Sequence, residues 1–331
     1  MRIAATVLLL AAGSCIAQTL TTIAGTGVAG STEGKMDQPY GLGIGPDKAL
    51  YYCEVGNHRI SRLDMKTRKS TVVVEGQGEP YEIAFSKAGD LFFCDRVKQT
   101  VGRIDHRTKA LTIVAGTGKE GYGGDGGPAT QAQFRQPHSI AFTPEGLLLI
   151  CDILNFRIRS LDPATGLLST WAGTGQRGPA PDGSPLTGTP LDGPRAIAID
   201  HAGNYYLALR EGNAIYRLDV KGGRMYRFAG TGEKGFTGDG GDARQAKLSG
   251  PKGVALAPDG SLYIADTENH AIRRVDRSGI ITTVAGTGER GDGPDGDPKR
   301  ARLARPHGVF VDSKGVVYIG DSENHRIRVL R

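Results

Sequence analysis

Six prolines, Pro39, Pro80, Pro137, Pro194, Pro251 and Pro306, are followed directly by Tyr40, Tyr81, His138, Arg195, Lys252 and His307. Two phenols, two imidazoles, a guanidinium and an ammonium brought to one place would recognise a polar or anionic ligand through directed hydrogen bonds and charge. The set offers only two metal-ligating imidazoles and no carboxylate, short of the three protein ligands a catalytic zinc usually takes. The expected chemistry is therefore recognition, with no catalytic residue, resident metal or cofactor assigned. A channel metal shared by His138 and His307, or calcium in the acid-glycine loops, is the lesser expectation.

These side chains can meet only if the segments carrying them are equivalent in space, and the spacing says that they are. Successive prolines lie 41, 57, 57, 57 and 55 residues apart, and each opens an alternating run such as Gly253-Val254-Ala255-Leu256. Period two marks a strand, and the small alternate residues suit an innermost strand crowded at an axis. A second strand follows and ends on an acid in five copies, at Glu54, Asp95, Asp152, Asp266 and Asp321. A turn then leads into a third strand rich in arginine, including Arg157, Arg159, Arg273, Arg326 and Arg328. The repeated acids and the turn histidines His58, His270 and His325 read as structural, since a catalytic residue is needed once rather than once per repeat. The alternating arginines read as a solvated outer face.

A fourth strand closes each unit and ends in AGTG or a near copy, five times after a core unit and once before any, at Leu20–Gly27. If that N-terminal strand, over residues 19–24, completes the last unit, the chain closes into a ring and no sheet edge is left at the seam. The expectation is an all-β, six-bladed β-propeller of four-stranded antiparallel blades over residues 18–331, its blades starting near residues 39, 80, 137, 194, 251 and 306. Four connectors of 21 or 22 residues, together with Ala24–Gln38, crowd one face, whereas Glu75–Glu79 is only five residues long. Long loops on a rigid scaffold favour binding, so the site is expected on that face, at the mouth of the channel.

The cores Asn57-His58-Arg59-Ile60 and Asn324-His325-Arg326-Ile327, with Asn269-His270, resemble NHL repeats, and the AGTG and GDGG connectors are similar to those of the secreted bacterial branch of that family. The resemblance implies the propeller and admits two functions. One is a non-catalytic binding or scaffold module that takes a protein partner or a small polar or anionic ligand. The other is a metal-dependent propeller enzyme, amidating-lyase-like or lactonase-like, with its site in the central channel.

Met1-Arg2 and the apolar run Ile3–Ala12 are too short to span a bilayer and read as a signal peptide of residues 1–17, cleaved after Ala17. Lipid attachment at Cys15 is the lesser alternative. The protein is thus expected to be secreted or periplasmic, without a transmembrane segment, and as a monomer. The formal charge of +6 falls to +5 without residues 1–17, and outside the cytoplasm nucleic acid is not the expected partner. Cys53, Cys94 and Cys151 share one repeat slot filled elsewhere by Ala208, Ala265 and Gly320, so they read as buried free thiols.

Overall fold

The computed structural model describes residues 18–200 and 202–331, and the expected signal peptide, with Cys15, lies outside the described residues. Six antiparallel sheets are arranged as successive blades, each with its strands in the order inner to outer. The inner strands are Pro39–Ile44, Pro80–Phe85, Pro137–Phe142, Pro194–Ile199, Pro251–Leu256 and Gly308–Val311. The outer strands of blades one to five are Ser70–Val74, Leu111–Ala115, Leu167–Ala172, Arg224–Ala229 and Ile281–Ala285. Blade six obtains its outer strand from the other end of the chain: Leu20–Ala24 pairs with Arg326–Leu330, Leu20 opposite Leu330 and Thr22 opposite Arg328. The ring expected from the displaced AGTG strand is the ring observed.

Neighbouring inner strands converge so closely that a Cβ on Gly308 would collide with the Tyr40 carbonyl oxygen, and one on Gly253 with that of His307. That approach, rather than turn geometry, dictates the small residues of the first strand. In blade six Phe310 replaces the small residue of the other blades, lines the central channel and tilts against Tyr318. Cys53, Cys94 and Cys151 are buried and unbridged, and burial pushes all three thiols well up.

Three arginines of the third strand overturn the solvated-face expectation, while Arg157 and Arg326 stay half-buried. Arg159, Arg273 and Arg328 are 0%, 1% and 0% exposed. Each guanidinium is clamped between two carboxylates. Arg159 reaches Asp125 at 2.7 Å and Asp152 at 3.4 Å, Arg273 reaches Asp239 at 2.7 Å and Asp266 at 3.3 Å, and Arg328 reaches Asp295 at 2.9 Å and Asp321 at 3.5 Å. One acid of each pair ends the second strand of the same blade. The other arrives on the connector from the preceding blade, within the acid-glycine runs. Those runs are clasps, their carboxylates spent on arginine and on strand N–H groups.

Each clasp also adds backbone pairing. Gly126 N donates to Leu168 O at 2.8 Å and Leu168 N to Gly127 O at 3.0 Å, with counterparts between Gly240–Gly241 and Ile281 and between Gly296 and Leu20. In blade four Tyr216 takes the place of the arginine and donates to Ala180 O, while Ser184–Pro185 forms a fifth strand on that sheet. Blades one and two carry Ser61 and Gly102 at the same register.

Candidate functional site

The residue ahead of the blade proline adopts positive φ in five blades, as Gln38, Gln136, Gly193, Gly250 and Arg305. This turn throws the next side chain inward and aims its own carbonyl back at it: His138 Nδ1 lies 2.6 Å from Gln136 O and His307 Nδ1 lies 2.8 Å from Arg305 O. The six expected site residues are thereby brought together, but as a packed plug instead of an open mouth. The Tyr40 ring stacks on His307 at 3.9 Å and meets Tyr81 edge-on at 4.9 Å, and Tyr81 meets His138 at 4.7 Å. Arg195 lies 5.3 Å from the Tyr81 ring centroid. Lys252 Nζ binds Glu268 at 2.7 Å and approaches His307 Nε2 at 3.4 Å. All six are buried except Tyr81, which is half-buried. They are not surface positions whose substitution would leave stability unaffected.

Burial sets the protonation of the plug. It holds both imidazoles well below their ordinary range, Arg195 adding to the effect at His138 and Lys252 at His307. Each ring is therefore neutral and donates from Nδ1 to a backbone carbonyl, and His307 can accept from Lys252. Burial also lowers Lys252 to about 8. Both Nδ1 atoms are committed to carbonyls, and Tyr40 and Tyr81 stand between the two imidazole rings. Among the described residues, three potential metal donors come close together at Asp90, Asp105 and His106, where Asp90 already binds Arg103 at 2.6 Å and His106 at 2.8 Å.

Above the plug the channel widens into a funnel of about 1760 Å³, opening on the face of the turns between strands one and two, opposite the long connectors. Its shaft is walled by the inner strands, including Leu42, Ile83, Ile140, Ile197, Val254 and Phe310. Glu82 stands at its floor, where the other blades carry Gly41, Ser139, Ala196, Gly253 and Gly308. It is half-buried, and burial raises it to about 7 against the pull of its own Ile83 N–H and of Arg195. Beside it, buried Arg195 leaves its Nε without a hydrogen-bond partner. Glu82 was not among the site residues expected from sequence. The readable signal was a charged residue in a slot that is otherwise Gly, Ala or Ser.

The folded-state value of Glu82 lies above its ordinary 4.5. The stability it contributes is thus fully present below pH 4.5 and is lost as pH rises through about 7. Glu82→Gln should remove this component: thermal melts of the two proteins at pH 5 and pH 8.5 should diverge in pH dependence by ~1–3 kcal/mol, the wild type losing more at high pH. Parallel pH profiles would show that Glu82 ionises normally.

A closed ring of six antiparallel blades, four-stranded except for the added short strand of blade four, around a central funnel defines the chain as a six-bladed β-propeller. The model described as Teneurin NHL domain matches residues 227–294 and that of the NHL repeat matches residues 303–330. With its six registered repeats, the chain is an NHL-repeat propeller. It is 28% identical over 233 residues to NHL repeat-containing protein 2 of Bos taurus, a match covering 61% of this chain and 32% of that one. The chain spans about a third or less of the length of the curated relatives it matches. An auxiliary nutrient binding protein from Bacteroides ovatus shares the fold with a TM-score of 0.74 at 20% identity, over 95% of this chain and 76% of that one. A virginiamycin B lyase from Staphylococcus aureus does so with a TM-score of 0.56 at 17% identity, over 95% and 98%. Among the described residues no helix is long and apolar enough to cross a membrane.

Proposed function

We propose that this protein is a non-catalytic binding propeller whose ligand enters the funnel from the face opposite the long connectors, an apolar body against the shaft and one hydrogen-bonding or cationic end at Glu82. The observation that carries this reading is the lining of the cavity: inner-strand walls that are mostly aliphatic, one inner-strand carboxylate, Glu82, and charged groups such as Lys87, Asp200 and Asp312 on the turns. Small-molecule sites are built this way, mostly apolar with a few polar groups fixing orientation. The fold neighbours include both a binding protein and a lyase, so the fold does not choose between them. A lyase or hydrolase centre needs an acid and base in reach of each other or a metal with several protein ligands. The floor presents one carboxylate, and the imidazoles nearest to it are turned to carbonyls. The signal peptide expected at residues 1–17 would place this recognition outside the cytoplasm.

Calorimetric titration with decylamine and decanoate tests the proposal. Decylamine should bind above pH 7 and decanoate at least tenfold more weakly. Ala198→Trp, which fills the shaft, should abolish binding while the protein still melts cooperatively, and Glu82→Gln should weaken decylamine at least tenfold. Failure of both amphiphiles to bind, or unchanged binding to the Ala198→Trp protein, would refute it.

A further inference from the structure

The outer strand of blade two, Leu111–Ala115, is left uncovered by the device that covers its counterparts in blades three to six. In those four blades a glycine segment pairs with the outer strand and buries the residue at one register: Leu168, Met225, Ile281 and Leu20 are at most 1% exposed. Leu111 occupies that register in blade two, opposite Ile104 as Ile281 is opposite Val275, and it is 42% exposed. The cause is chain length: the connector entering blade two is the five-residue Glu75–Glu79, too short to reach its outer edge. Blade one, entered by the intermediate connector, carries polar Ser70 at this register. Only blade two combines a missing clasp with an aliphatic side chain suited to one.

The next outward position tells the same story. Thr283 N donates to Asp239 at 3.0 Å, Thr22 N to Asp295 at 2.9 Å and Arg227 N to Asp182 at 2.7 Å, so a carboxylate of the clasp caps this strand N–H in three blades. Ile113 stands at the same register, opposite Gly102 as Thr283 is opposite Arg273, and its N–H points outward in the same way. Ile113 is itself exposed, and a groove of about 610 Å³ lined by Leu111, Ile113, Thr100, Lys98 and Gly118 runs beside it. The surrounding cations are not neutralised: among the described residues Lys98 and Lys109 bond to the carbonyls of Gly76 and His106, and neither they nor Arg107 and Lys119 pair with a carboxylate.

We propose that this edge is a docking site for an extended, glycine-rich segment of a partner protein bearing a carboxylate, which adds as a fifth strand to blade two and caps the Ile113 N–H as the chain's own clasps do elsewhere. Strand addition to an exposed edge draws affinity from the main chain and specificity from alternate side chains, and an uncovered aliphatic edge is otherwise an aggregation hazard. The groove meets the outer rim of the funnel at Ile113, whereas Leu111 lies outside the funnel lining; the edge site does not rest on the funnel reading.

The probe is a blocked heptapeptide with the sequence of residues 236–242, Phe-Thr-Gly-Asp-Gly-Gly-Asp, titrated into ¹⁵N-labelled protein to millimolar concentration. Amide shifts should concentrate at Leu111–Gly118, weaken with salt, and weaken at least fivefold for the peptide with Asp239→Asn. Leu111→Lys and Ile113→Pro should each reduce affinity at least tenfold, and Leu111→Lys, outside the funnel lining, should leave decylamine binding unchanged; the first variant keeps the edge N–H groups and guards against misfolding of the second. Absence of shifts at Leu111–Gly118, equal shifts at Ser70–Val74, or affinity indifferent to both variants would overturn the proposal. So would concentration-dependent dimerisation of the free protein abolished by Leu111→Lys, which would make a second copy the occupant.

Discussion

Arg273→Ala should lower the unfolding free energy by ~3–5 kcal/mol, the range for stripping one partner from a buried ion pair. Arg273 holds Asp266, at the end of the second strand, and Asp239, on the connector from the previous blade, and its guanidinium lies 5.0 Å from the Phe236 ring centroid. Removing it leaves Asp266, fully buried, with its bonds from Ser249 N and Asn269 but without a cation. The melting temperature should fall by on the order of ten degrees, given 2–4 °C per kcal/mol for domains somewhat smaller than this. Because the pair is buried, high salt should not abolish the difference. A double-mutant cycle with Asp239→Asn separates clasp from blade: a coupling of ~1–3 kcal/mol is expected for groups in direct contact. A loss below ~1 kcal/mol in Arg273→Ala would show that the arginine is dispensable and the connector is held by its backbone bonds alone.

Deleting residues 18–25 should have a still larger effect. Leu20 is fully buried and pairs with Leu330, while Thr19 and Arg331 exchange backbone hydrogen bonds of 2.8 and 3.1 Å. Without this strand, Arg326–Leu330 becomes an open edge and the apolar contact between blades five and six loses Leu20. In a repeat protein each unit is stable only against its neighbours, so the opened ring should lose its cooperative thermal transition or partition into the insoluble fraction. A peptide of residues 18–27 supplied in excess should restore a cooperative melt. A truncated protein melting within a few degrees of the intact chain would mean that the seam is not what holds the ring together.

The plug shows how far the sequence could be read toward a site. Tyr40, Tyr81, His138, Arg195, Lys252 and His307 share one register, and shared register in a closed repeat places equivalent residues around one axis, so their convergence was legible. Their burial was not, because it depends on how narrow the ring is at that height and on stacking between side chains from different blades. Glu82 was overlooked for a related reason: its slot is one of small residues, and an acid there has meaning only once the slot is seen to face the funnel floor. The arginines of the third strand illustrate the same limit. Alternation with aliphatic residues is the pattern of a solvated strand face, and only the acid-bearing connector folding over from the neighbouring blade turns that face into an interior.

What the sequence determined by itself was the repeat, its period, the number of blades and the closure by the displaced first strand, because these follow from local strand periodicity and from the order in which copies occur along the chain. The tertiary structure alone decided which end of the channel is open, which charges are buried and which blade edge is bare. Those properties belong to contacts between residues far apart in the chain, and the energies that settle them, desolvation of charge and pairing of backbone groups across blades, have no counterpart in local pattern.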